Sequence, residues 1–171
     1  MNASRRSSRR RLRLPGRKPI KAFVDANTVV SGLLFEGNEA TLLELGRIGA
    51  VRLVTNNVLT EVQAVLRRIE FSLTDEEFTG LIRYLHECLT VTEDPENDEV
   101  LSNSGLLRDK KDIPVALGAM DSGSDYLVTG DKELSEKLDT LSITTSSLIQ
   151  LILGDQSPTA PRRRTPRIKR K

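Results

Sequence analysis

Four carboxylates are spaced along this chain so that one fold can gather them. Asp25 ends a short apolar run (residues 20–24, IKAFV), and Asp131 follows another (126–130, YLVTG). Both runs read as buried strands; laid parallel, they deliver the two acids to the same edge of a sheet. Glu61 stands beside Val62 and between Val58 and Val65, near the start of an amphipathic helix that can aim it at that edge. Asp112 opens a further helical segment, after Arg108, Asp109, Lys110 and Lys111. Taken singly, each acid reads more simply as a turn residue or a helix N-cap. Taken together, four converging carboxylates repel one another unless a cation sits among them. Mg²⁺ or Mn²⁺, hard ions that prefer oxygen ligands, suit that place. A carboxylate-held metal orients water, lowers its pKa and stabilises the charge developing on a phosphodiester.

Other chemistries have little material. The chain holds one cysteine, Cys88, and one histidine, His86. No intrachain disulfide and no cysteine-rich zinc site can form. A Ser–His–Asp or Cys–His mechanism would have to run through His86, on a segment (76–89) that reads as an amphipathic helix. No apolar run approaches the roughly 18 residues of a membrane span. The basic residues 9–14 lead into Pro15, Gly16 and Arg17 rather than an apolar signal-peptide stretch, so a cytoplasmic protein without membrane contact is expected.

The elements that must position these acids occupy the middle of the chain. Of 171 residues, 26 are Lys or Arg and 24 Asp or Glu, a net charge of +2. Eight basic residues and no acid fall in 1–18, and seven and no acid in 160–171. The stretch 19–159 keeps 11 basic residues and all 24 acids, a net charge of −13. The ends are too poor in apolar residues to offset chain entropy. We therefore expect a basic disordered tail at 1–18, one globular domain at 19–155 and a second basic tail at 156–171. Arginine-rich tails bind phosphate without reading sequence, which makes Arg9, Arg10, Arg11, Arg162, Arg163 and Arg164 candidate contacts to nucleic-acid phosphates.

Within the domain, apolar runs and helical periodicities follow the order β-α-α-β-α-α-β-(α)-α-β-β-α. Residues 20–24, 51–54, 89–92, 126–129 and 142–144 read as strands. Thr55, Asn56 and Asn57 offer N-caps to a helix running to about Ile69, whose buried face holds Val58, Leu59, Val62, Val65, Leu66 and Ile69. Thr74 to Glu77 fits a capping box. Alternating strands and helices indicate an α/β sandwich around a mostly parallel sheet, with ligand sites beyond the carboxyl ends of the strands.

Three blocks of the sequence resemble a known family. VDANTVVSGLL (24–34), TNNVLTEVQAVLRR (55–68) and RDKKDIPVALGAMDSGSDYLVTGDKEL (108–134) are similar, in order and spacing, to the signature segments of PIN-domain proteins of the toxin–antitoxin kind. The resemblance spans about residues 20–150. It implies a three-layer α/β/α sandwich and a Mg²⁺- or Mn²⁺-dependent endoribonuclease with Asp25, Glu61, Asp112 and Asp131 as its acidic site. It makes Asp25 and Asp112 the main metal ligands, and Glu61 and Asp131 the residues that complete the shell or position the attacking water. Asn27 and Thr129 would support the site through hydrogen bonds. Glu133 is either a ligand to a second metal or an exposed helix residue. RNA is the implied substrate, an antitoxin protein the implied partner, and a homodimer or higher assembly the implied state. Ile113 and Pro114 depart from the family's more polar or alanine-rich helix, which makes Asp109 an alternative ligand. Two other readings stay open. One is an inactive PIN-like module that binds RNA or docks a protein. The other is a phosphoryl-transfer domain, against which Asn27 stands where a second aspartate would be needed.

Overall fold

The computed structural model describes residues 18–56, 58–68 and 73–154. The arginine-rich segments 1–17 and 155–171, Asn57 and Ile69 lie outside the described residues, as do the side chains of Val58 and Leu59. Strand β1 (Lys21–Val24) leads through α1 (Ala26–Leu34) and α2 (Asn38–Arg47) to β2 (Arg52–Thr55). Helices α3 (Val58–Leu66) and α4 (Asp75–Cys88) connect β2 to β3 (Leu89–Val91). Helix α5 (Asn97–Ser102), a one-turn 3-10 helix (Lys110–Asp112) and α6 (Ile113–Asp121) precede β4 (Tyr126–Val128). Helix α7 (Lys132–Lys137) leads to β5 (Ser142–Ile143), and α8 (Thr145–Leu153) follows. The sheet runs β3-β2-β1-β4-β5, and every described pair is parallel.

Alternation along the strands divides the core in two. Ala22, Val24, Leu53, Leu89 and Val128 turn to one face, where they pack with Leu42 and Leu43 of α2, Val62 and Leu66 of α3, Leu85 of α4 and Leu148 of α8. Phe23, Val54 and Leu127 turn to the other, against Ile113, Ala116 and Leu117 of α6 and Leu134 of α7. The sheet is thus the middle layer of an α/β/α sandwich. Covered on both faces, its strands read as continuous apolar runs rather than alternating ones.

Local chemistry sets the helix ends. Thr74 and Glu77 close a reciprocal capping box before α4: the Glu77 N–H donates to Thr74 Oγ1 (3.2 Å) and the Thr74 N–H to Glu77 Oε2 (2.8 Å). Beyond α2, Gly49 adopts φ +78°, which lets the Ala50 N–H reach the Leu45 carbonyl at 2.9 Å. Among the described residues no helix is long and apolar enough to cross a membrane.

The structure corrects the expected order at two places. That order passes from the fourth strand straight to the fifth, whereas α7 lies between them and supplies the crossover that lets β5 run parallel to β4. Thr55 caps no helix. It ends β2, where its hydroxyl donates to the Val24 carbonyl (3.0 Å).

Helix α6 lies close against the sheet at Gly118. A Cβ at that position would stand 2.8 Å from Asn56 Nδ2 and 3.0 Å from Phe23 Cζ. Phe23 and Asn56 are both buried, so neither has room to retreat. Gly118→Ala is therefore expected to cost about 1–3 kcal/mol, although alanine is the better helix former. The urea unfolding midpoint reads this directly; an unchanged midpoint would show that α6 lifts from the sheet at no cost.

Candidate active site

The strand order turns at β1 and β4: beyond β1 the sheet continues to β2 and β3, beyond β4 to β5. Open parallel sheets hold their ligands outside such a switch point, at the carboxyl ends of the strands. Val24 pairs with Val128, so the next residues, Asp25 and Thr129, leave the sheet side by side. Asp25 is the N-cap of α1, and its Oδ1 accepts the Thr28 N–H at 2.7 Å. Its Oδ2 accepts the Thr129 hydroxyl. The same Thr129 oxygen accepts the Asp131 N–H at 3.0 Å, while Asp131 Oδ1 caps α7 through the Leu134 N–H at 2.8 Å. One hydroxyl therefore ties together the two strand-end acids. Asp25 and Thr129 are buried and Asp131 half-buried.

Asp112 occupies the N-cap position of α6, yet its carboxyl caps nothing. Pro114, in the first turn, has no N–H to offer it. Capping at this corner falls to Asp109, whose Oδ1 accepts the Lys111 N–H at 3.0 Å and shapes the 3-10 turn. Burial pushes the half-buried Asp112 carboxyl up from 3.8 to about 6, and the charges of Asp109, Asp131, Glu61 and Asp25 push the same way in that order. The other three expected acids thus act on Asp112 through space. Glu61 lies exposed in the first turn of α3.

Two further residues hold the parts in register. Asn56, read from the sequence only as a cap, is buried at the end of β2, and its Nδ2 donates to the Pro114 carbonyl at 2.7 Å. That bond fastens β2 to the first turn of α6, two residues from Asp112. Glu133 is half-buried, and its Oε1 accepts the Arg108 N–H, which secures the segment leading to Asp112 against the start of α7. Asn27 faces solvent from α1 and makes no side-chain hydrogen bond to the four acids. Cys88 is 3% exposed, and burial pushes its thiol up to about 11, while His86 is exposed on the same helix. A thiol so reluctant to ionise is a core residue, not a nucleophile.

Among the described residues no three acidic, histidine or cysteine side chains stand close enough to enclose one ion. Mg²⁺ does not need such a cage, since it is commonly held by one or two carboxylates and completes its octahedron with water. The donors here are all oxygens, gathered around a carboxyl whose ionisation its neighbours oppose. This set fits a hard, hydrated divalent cation.

A family model described as PIN domain matches residues 21–133, from the first residue of β1 to two residues past Asp131. The crystal structure of PAE2754 from Pyrobaculum aerophilum is similar with a TM-score of 0.57 and 22% identity, covering 80% of this chain and 98% of that one. At that identity the likeness is one of fold. No curated protein matches.

Proposed function

This chain belongs to the PIN-domain family, and on that premise we propose that it is a metal-dependent endoribonuclease, the toxin of a toxin–antitoxin pair. PIN domains are generally nucleases, typically use divalent metal ions, and act on RNA. The observation that carries the reading is the Asp25–Thr129–Asp131 bridge at the switch point, with the uncapped Asp112 carboxyl in the same field.

The chain's own residues divide the work. A carboxylate offers about four lone-pair sites. Thr28 and Thr129 take two of those on Asp25, which fixes its orientation and leaves two for a metal. Asp112, which caps nothing, has both oxygens to offer and would be the second ligand. Asp131 and Glu61 would complete the shell or hold the attacking water. The bound ion would lower the pKa of that water and stabilise the charge on the phosphodiester. Thr129 positions Asp25 and Asp131 relative to each other and touches no substrate.

The test is cleavage of single-stranded RNA by the purified full chain with Mg²⁺ or Mn²⁺, and again with EDTA. Internal cleavage that requires the metal is expected. Cleavage that persists in EDTA, or none with either metal, overturns the proposal. RNA binding that is the same with EDTA and never leads to cleavage marks an inactive binding module instead. Removing residues 1–17 and 155–171 should weaken RNA binding and flatten its salt dependence while metal-dependent cleavage remains; full affinity without these segments would show that they take no part. As a toxin, the chain should arrest growth of its host only with the site intact, and the protein encoded beside it should relieve the arrest. A homodimer is part of the same reading, and sedimentation equilibrium tests it.

A further inference from the structure

The globule is poor in cations, and those it has are unevenly placed. Residues 19–159 contain 11 Lys and Arg against 24 acids. Four of the 11 fall on the two short segments that carry Asp112 and Asp131: Arg108, Lys110 and Lys111 just before Asp112, and Lys132 just after Asp131. All four are exposed. None makes an ion pair with a described residue, in contrast to Arg47, which pairs with Glu44.

Two bonds bring the segments that carry these cations together. The backbone N–H of Arg108 donates to Glu133 Oε1, which brings the start of the first segment to the opening turn of α7, where Lys132 sits. Asp109 Oδ1 accepts the Lys111 N–H and folds residues 110–112 into a single 3-10 turn. Lys110 and Lys111 therefore cannot drift away from Asp112. Had these cations served only to neutralise the nearby acids, they would be drawn into ion pairs with them. They instead lie within four residues of Asp112 or Asp131 in the chain, exposed and with their charge unpaired.

We propose that Arg108, Lys110, Lys111 and Lys132 form a cationic rim that binds backbone phosphates of a single-stranded RNA flanking the phosphodiester presented to the acids. This rests on the endoribonuclease reading and adds the chain's own substrate grip, distinct from the arginine-rich ends. A rim of this kind contacts phosphates and carries no sequence information. Its pairing with an acidic centre solves the approach problem of a domain at −13: the scissile group meets the acids only where adjacent phosphates are already held.

Amine footprinting of the full chain tests it, with a short single-stranded RNA and Ca²⁺ in place of Mg²⁺. RNA should slow acetylation of Lys110, Lys111 and Lys132 several-fold and leave Lys21 and Lys137 unchanged. The triple variant R108Q/K110Q/K111Q, with Mg²⁺, should lose about tenfold in kcat/KM at moderate salt, with kcat within about twofold. Its salt dependence should fall by roughly 0.7 log unit per log unit of salt for each phosphate contact removed. Unaltered acetylation together with an unaltered kcat/KM overturns the rim. If the parent chain cleaves RNA while the rim shows neither effect, the rim fails alone. If the parent cleaves nothing with any metal, the nuclease reading fails, and footprinting still decides whether RNA lies on the rim.

Discussion

Asp25→Asn should leave a folded protein that no longer cleaves RNA at a useful rate. Asparagine caps helices about as well as aspartate, so its amide oxygen can keep the Thr28 N–H that Asp25 Oδ1 accepts at 2.7 Å. Its NH₂ can meet the Thr129 hydroxyl oxygen, with donor and acceptor reversed. Shape and burial are preserved; the negative charge and its metal affinity are lost. Removing several kcal/mol of transition-state stabilisation lowers kcat by roughly 10²–10³-fold. Asp25→Ala would confuse the outcome, because it also deletes the α1 cap, worth about 1 kcal/mol. Single-turnover cleavage measured beside a urea midpoint separates the two effects. A stable Asp25→Asn protein that cleaves within tenfold of the parent would remove Asp25 from the mechanism.

Asp112→Asn should make the metal-free protein more stable at neutral pH while abolishing cleavage. Asp112 has its carboxyl raised from 3.8 to about 6, first by burial and then by Asp109, Asp131, Glu61 and Asp25. The folded state thus binds this proton more tightly than the unfolded chain does. The stability contributed by this group is present in acid, falls as pH rises from about 4 to 6, and stays low above that. The variant escapes the penalty. In EDTA its melting temperature should exceed the parent's above pH 6, and the gap should close towards pH 4. Mg²⁺ should reverse the comparison: bound as proposed, it would favour ionised Asp112, so the parent should gain stability from the ion and the variant little. In the parent, metal binding should also weaken below pH 6, where the ion must displace a proton. Calorimetry across that range, with Mg²⁺ and with EDTA, reads all of this. A pH-independent gap between the two proteins would refute the assignment.

The fold was legible because its strongest signals are long-range only in their consequences. Apart from Lys21 at the start of β1 and Thr129 beyond β4, IKAFV and YLVT are apolar, and a strand covered on both faces gives that pattern. Thr74 and Glu77 announce α4 three residues apart, and Gly49 announces the end of α2. Helix α7 leaves no periodic signal because Lys132–Lys137 has a single buried apolar residue, Leu134, and six residues cannot display a period. Its one signal was Asp131, three residues before Leu134, in the place of an N-cap. The four acids could be picked out as residue types at the right distances from apolar runs. The arrangement holding them could not, since it depends on pairs far apart in sequence. Asn56 reaches Pro114 across 58 residues, and no local pattern marks Asn56 as anything but a cap. Likewise, the 3-10 turn takes the capping role to Asp109 and leaves Asp112 uncapped, a division that two aspartates three residues apart do not reveal.

The hydroxyl of Thr129 meets Asp25 across 104 residues, and the strand bringing it there pairs directly with β1. During synthesis at about 5–20 residues per second, Asp25 is made roughly 5–20 s before its partner. Until β4 is made, β2 is the one strand that can pair with β1, and the switch point does not yet exist. Two of the four acids, Asp112 and Asp131, also arrive in the last part of the domain. On the endoribonuclease reading, a nascent chain is thus translated alongside its own message before its acids are assembled. The late closing of β4 onto β1 is the step that joins Thr129 to Asp25 and so completes the acidic cluster.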